Sequence, residues 1–192
     1  MDMSKSSKRF YVIMTIGSLV GLVASFLDTL EKIALLKNAH SILTCNLNTV
    51  FSCSNVLNAR QSSVFGFPNS LLCLVFFSLT LSMGLVGWAN AKIVTARLRL
   101  GYQALALFFA GFGFWFFWQS IFNLHSLCIL CIFCYLGVLL INGSWLRLNS
   151  KDYHVNKRIR QFIDHTITSG ADIFFWCLIA LVITLLAILK LK

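Results

Sequence analysis

Leu127-Cys-Ile-Leu-Cys-Ile-Phe-Cys-Tyr-Leu-Gly-Val-Leu-Leu-Ile-Asn-Gly-Ser-Trp-Leu146 runs without a charged residue and opens with two cysteines three positions apart. A helix needs about 20 apolar residues to cross a bilayer, so this stretch reads as a membrane span rather than the core of a soluble domain. Four more uncharged stretches of spanning length occupy 10–27, 71–89, 101–124 and 173–189. Composition agrees: 58% of the 192 residues are hydrophobic and 11% charged, and the mean hydropathy is +0.82. The chain is therefore expected to be an all-α integral membrane protein, one transmembrane domain over 1–192. Its helices are placed at about 10–30, 69–90, 101–124, 127–146 and 171–190, with a loop at about 31–68. A cleaved leader is the alternative for the first stretch, but its apolar core exceeds the roughly 7–15 residues usual for one.

The net charge of +10 raises the question of a nucleic-acid partner, and the placement of the basic residues answers it. Lys5, Lys8, Arg9, Lys92, Arg97, Arg99, Arg147, Lys151, Lys157, Arg158 and Arg160 fall on one side of the expected spans. Lys32, Lys37, Arg60, Lys190 and Lys192 fall on the other. Positive residues collect on the cytoplasmic side, so the basicity is topological, the N-terminus is expected in the cytoplasm, and no nucleic-acid partner is expected. The loop after the first span and the turn around 123–126 then share the exoplasmic face. Both carry cysteines, and disulfides persist in oxidising compartments.

Cys128 and Cys131, three apart on a helix, lie about 60° from one another on one face, close enough for a reversible disulfide. At a helix start they sit near the positive end of the macrodipole, which favours the thiolate that attacks disulfides. Tyr135 falls in the same stripe, where a phenol can donate to a ring carbonyl; packing at the membrane interface is the plainer alternative. Cys134 points about 120° away from Cys128 and is expected to pack.

Cys45 and Cys53 would be about 12 Å apart in a continuous helix, beyond the roughly 7 Å between Cα atoms that a disulfide tolerates. If they pair, the chain must break between them, and Asn46 and Asn48 are the turn formers that allow it. Val50, Phe51, Val56 and Leu57 recur at helical spacing within 49–58, too short a segment to span. A short interfacial helix is expected there, opened by Cys53, with Cys45 mobile and the loop lidding the bundle. Cys73 and Cys177 stand alone in apolar helices and read as structural. Gly17 with Gly21, and Gly111 with Gly113, read as close-packing positions. His125 is able to assist Cys128 but reads as a solvated turn residue, and no histidine or carboxylate is arranged with the cysteines for a metal site.

These residues resemble the vitamin K epoxide reductase family. The resemblance rests on Glu31-Lys32, on Cys45-Asn-Leu-Asn-Thr-Val-Phe-Ser-Cys53-Ser54, on Val64-Phe-Gly-Phe-Pro-Asn-Ser70, and on Cys128-Ile-Leu-Cys131 with Tyr135. It covers about 31–135. It implies a four-helix bundle around a quinone with a peripheral fifth helix, capped by the loop and its short helix. It further implies that Cys45 exchanges with a thioredoxin-fold partner, that Cys53 passes electrons to Cys128, that Cys131 faces the quinone, and that Asn69 and Tyr135 hydrogen-bond its carbonyls. Many bacterial members carry a fused thioredoxin-like domain after the fifth helix, whereas this sequence stops at Lys192, so a separate DsbA-like partner is expected.

The activity so implied is a quinone-dependent thiol oxidoreductase supporting disulfide formation, in a bacterial inner membrane with its site in the periplasm. The first alternative is a vitamin K epoxide or quinone reductase of the vertebrate type. From another class, the alternative is a metal-binding or transport protein using Cys128, Cys131 and Cys134 as soft ligands.

Overall fold

The computed structural model of the chain describes residues 3–38, 43–46, 51–150 and 182, with side chains from residue 7 onward. Every named element is helical: α1 (Met3–Lys37), α2 (Cys53–Asn58), α3 (Asn69–Ala89), α4 (Ala96–Gln119) and α5 (Ile129–Asn149). A 3-10 turn at Arg60–Ser63 follows α2, and α4 runs into a π-helical turn at Ser120–Leu124. Helices α1, α3, α4 with its π turn, and α5 are long and apolar enough to cross a membrane, and the protein is an integral membrane protein of the all-helical class. The fifth span expected at 171–190, including Cys177, lies outside the described residues apart from Val182.

Two helices are longer than their uncharged cores. α1 continues to Lys37, so Glu31 and Lys32 belong to a helix and not to the start of a loop. Their charge does not end the helix because Glu31 and Lys32 both find partners above it, described below. α4 begins at Ala96, five residues before its uncharged run, because the Thr95 hydroxyl caps it by accepting from the Leu98 amide at 3.4 Å.

Helix α1 packs against both α3 and α5, and α4 packs against α5. Lipid tails are as apolar as leucine, so the helices associate through close packing and interhelical hydrogen bonds rather than by hiding surface from water. Small residues allow the approach: a Cβ on Gly137 would fall 2.6 Å from the Gly17 carbonyl oxygen, and one on Gly21 would fall 2.2 Å from the Phe77 ring. Gly113 has the same role, whereas Gly111 meets nothing within 4 Å, which corrects the expectation for that residue. Phe76 of α3 stacks on Phe109 of α4 with centroids 4.3 Å apart, closing the bundle's fourth side.

Polar pairs bridge the helices. Ser18 donates to Thr80 at 3.0 Å, Thr29 to Ser70 at 2.9 Å, and Asn142 to the Ala106 carbonyl at 2.9 Å, each worth roughly 0.6–2 kcal/mol in a membrane. Val12, Ile16, Leu19, Val23, Phe26 and Leu30 form an outward apolar stripe on α1. Such a stripe invites aggregation in water and suits lipid contact.

Candidate functional site

The end of α1, α2, the start of α3, the π turn and the start of α5 meet at one end of the bundle, where α2 is fastened from three sides. From α1, the Lys32 ammonium donates to the Leu57 carbonyl in a very short contact and to Ser62 Oγ at 3.3 Å. A cation at the C-terminal end of α2 also suits its exposed carbonyls. From the π-turn side, Asn55 Nδ2 donates to Ser126 Oγ at 3.0 Å, and Phe51 pairs with Leu127 in an isolated parallel bridge. From the preceding turn, Asn46 both donates to Ser54 Oγ at 2.6 Å and accepts from the Ser54 amide at 3.1 Å. Glu31 holds that turn by accepting from the Thr44 amide at 3.1 Å and, in a shorter contact, from its hydroxyl.

This clamp sets the sulfurs. Cys53 opens α2 and is joined by a disulfide to Cys45, with their Cα atoms 5.7 Å apart. Cys45 sits in a turn, so the chain does break between the two. Asn46 makes the break by docking onto Ser54, and Asn48 lies outside the described residues. Cys53 Sγ lies 3.2 Å from Cys128 Sγ, and both residues are fully buried.

Cys128 is not within a helix. It caps α5 in an extended conformation at φ −98° and ψ 122°, following His125, which is exposed and left-handed at φ 52°. The expected single stripe therefore divides. Cys128 turns toward the lid, while Cys131 and Tyr135 on α5 line a cavity below it. Cys134, expected to point elsewhere, lines that cavity as well, and its thiol lies 3.8 Å from the Gly21 carbonyl.

Phe109, Phe112, Phe116 and Phe117 of α4 form the cavity's aromatic wall, with Asn69 and Cys73 of α3 opposite. A mostly apolar lining with a few polar groups is typical of a ligand pocket. Asn69 accepts from the Val64 amide at 3.2 Å and donates to the Gln61 carbonyl at 2.7 Å. It thereby ties the loop after the 3-10 turn over the cavity and retains one amide hydrogen. Tyr135 reaches the Ala110 carbonyl at 3.4 Å, a long bond readily exchanged for a ligand acceptor. Its ring approaches α4 because Gly113 has no Cβ; one built there would fall 2.6 Å from the Tyr135 ring. A flat ring with two carbonyls suits these walls and these two donors.

One residue of the site was not anticipated. Asp28, 7% exposed, directs Oδ1 to within 3.5 Å of Cys128 Sγ and 4.0 Å of Cys131 Sγ. The expectation that no carboxylate accompanies the cysteines is thus wrong. The three-cysteine metal set weighed from the sequence is not assembled either, since the described donors that gather closely in a three are Asp28, Cys128 and Cys131, without Cys134. The available signal was an acid placed one helical turn before Lys32, at the end of an apolar span. Ionisable residues in that setting are costly and tend to be functional.

Four helices long and apolar enough to cross a membrane hold a disulfide against a second cysteine pair, above an aromatic cavity. The sequence matches the Vitamin K epoxide reductase family over residues 12–143, and the chain belongs to that family. Membership implies a quinone-linked thiol oxidoreductase or an epoxide reductase, in a family whose proteins use quinones. No curated protein matches the chain.

Proposed function

We propose that the protein is a quinone-dependent thiol oxidoreductase that reoxidises a thioredoxin-fold, DsbA-like partner and so supports disulfide formation. The observation that carries this reading is the 3.2 Å approach of Cys53 to Cys128 while Cys53 is bonded to Cys45. A sulfur shared between two partners in this way is the arrangement thiol exchange requires. The partner's dithiol reduces the Cys45–Cys53 disulfide, Cys53 attacks the Cys128–Cys131 disulfide, and Cys45 then resolves the Cys53–Cys128 bond. Two electrons and two protons reach Cys128 and Cys131. A quinone, when bound, supplies the two-electron acceptor for that dithiol. Cys131 faces it, the phenylalanines of α4 exclude water, and Asn69 and Tyr135 orient its carbonyls.

The distribution of basic residues supports an N-terminus in the cytoplasm, which puts the thiol end of the bundle on the exoplasmic face, the periplasmic side of a bacterial inner membrane. Expression in a bacterium lacking its own membrane oxidant of disulfide formation tests the proposal. Wild type should restore disulfide formation, Cys131→Ala should not, and extraction of the purified protein should yield quinone. Failure to rescue, combined with turnover of vitamin K epoxide, would assign the protein to the reductive branch instead.

A further inference from the structure

An acid inside a membrane helix is expensive and tends to be functional. Asp28 is placed so that its oxygen meets both sulfurs of the inner pair. The thiol relay above does not assign it a task. Each exchange step expels a thiolate, and in this relay the expelled sulfurs are Cys131 first and Cys128 second. Water stabilises such an anion easily in solution; in a buried apolar site an unpaired charge is costly, and slow departure of the leaving thiolate slows exchange.

We propose that Asp28 is the proton carrier of the internal exchange, an inference that rests on the relay reading. As the Cys53 sulfur attacks Cys128, the Cys128–Cys131 bond breaks and protonated Asp28 delivers its proton to Cys131. The Cys53–Cys128 bond now holds the chain, and the proton lost by Cys53 reloads the carboxylate. As Cys45 attacks Cys53, the Cys53–Cys128 bond breaks, Cys128 takes the second proton from Asp28, and the proton of Cys45 restores the acid. Two protons and two electrons move from Cys45 and Cys53 to Cys128 and Cys131, and nothing is drawn from outside the chain. The structure holds the product of this sequence, with Cys45 and Cys53 joined and Cys128 and Cys131 free beside Asp28.

Other groups nearby do not fit the task. Glu31, the other acid among the described residues, is engaged with Thr44. Lys32 is engaged with Leu57 and Ser62. The thiols of Cys73 and Cys134 line the cavity, and that of Cys134 is directed at the Gly21 carbonyl.

The test needs no quinone. The full-length protein, stripped of quinone and oxidised at both pairs with diamide, is mixed with a low concentration of dithiothreitol, and reduction of Cys128 and Cys131 is followed by acid quench and mass-tag alkylation. Asp28→Asn should slow this internal reduction about 100-fold, the lower range for loss of a general acid. Asp28→Glu should restore most of the rate, and exchange in Asp28→Ala should rise with added formate, a response that a purely structural role would not produce. Should Asp28→Asn fail to fold, Asp28→Glu and the formate dependence decide the question. Wild-type rates in Asp28→Asn, or no formate response in Asp28→Ala, overturn the proposal while leaving the relay intact. A Cys53→Ser variant reduced as fast as wild type overturns the relay itself, and the proposal with it.

Discussion

Cys53 Sγ and Cys128 Sγ lie 3.2 Å apart across 75 residues of sequence. The contact is imposed by the Asn55–Ser126 hydrogen bond, the Phe51–Leu127 bridge and the Lys32 anchor. It predicts the outcome of leaving these two thiols alone together. In Cys45→Ser/Cys131→Ser protein, mild oxidation should convert nearly all molecules to a Cys53–Cys128 disulfide, detected as a linked peptide by mass spectrometry without reduction. Persistent alkylation of both cysteines after oxidation would show that the approach is not productive.

The membrane class was legible because a run such as 127–146 admits one physical reading, and the family because Cys45, Cys53, Cys128 and Cys131 stand at fixed spacings. What was not legible depends on the third dimension. Periodicity placed Cys128 in the helix with Cys131, but a residue at a helix boundary takes its conformation from the preceding turn, here the left-handed His125. The first helix was expected to end near residue 30, because a sequence does not reveal that Glu31 and Lys32 are satisfied by Thr44, Leu57 and Ser62. With those partners the helix continues, and Asp28 turns inward onto the sulfurs.

The remaining cysteines divide by position rather than by reactivity. Cys73 and Cys134 line the cavity and form no disulfide among the described residues. Cys73→Ala and Cys134→Ala should therefore leave internal exchange near the wild-type rate, and any effect should fall on ligand affinity. Metal analysis supplies the contrary case. One equivalent of zinc or copper, lost in Cys134→Ser, would favour the metal-binding alternative.

The fit of Tyr135 against α4 depends on Gly113, where a Cβ would lie 2.6 and 2.7 Å from the ring. Gly113→Ala should displace the ring at a cost of about 1–3 kcal/mol. Tyr135→Phe removes only one hydrogen bond, about 0.5–1.5 kcal/mol. Quinone affinity should fall further in Gly113→Ala than in Tyr135→Phe, with quinone-free thiol exchange unchanged in both. The reverse order would mean that the hydroxyl matters more than the position of the ring.

Asn69 has two tasks in the structure, bonding the loop at Gln61 and Val64 and presenting an amide to the cavity. Asn69→Asp keeps the acceptor for the Val64 amide but loses the donor. Asn69→Ala loses both. Hydrogen exchange at Val64 should accelerate in the alanine variant and remain near wild type in the aspartate one, while quinone affinity falls in both. Equal loop protection in all three proteins would assign Asn69 to the ligand alone.

The lid itself hangs on Lys32, whose ammonium reaches the Leu57 carbonyl and Ser62, while Ser62 Oγ also donates to that carbonyl at 2.5 Å and to Ala59 at 2.8 Å. Lys32→Met keeps most of the stem and removes the charged donor, at a cost of about 1.5–3 kcal/mol for a hydrogen bond to a charged group. Since about 1.4 kcal/mol corresponds to a tenfold change in an equilibrium, lid opening should become roughly 10-fold to 100-fold more frequent. Faster amide exchange across 53–63 would register it, with little change in the bundle helices. Because Cys53 rides on α2, the same opening should expose the Cys45–Cys53 disulfide to small reductants and reduce the fraction of time in which Cys53 meets Cys128. Faster reduction by dithiothreitol together with slower internal exchange is the expected pair of effects. Acceleration of both would mean that α2 is held against Cys128 chiefly by Asn55 and Phe51, with Lys32 serving the loop alone.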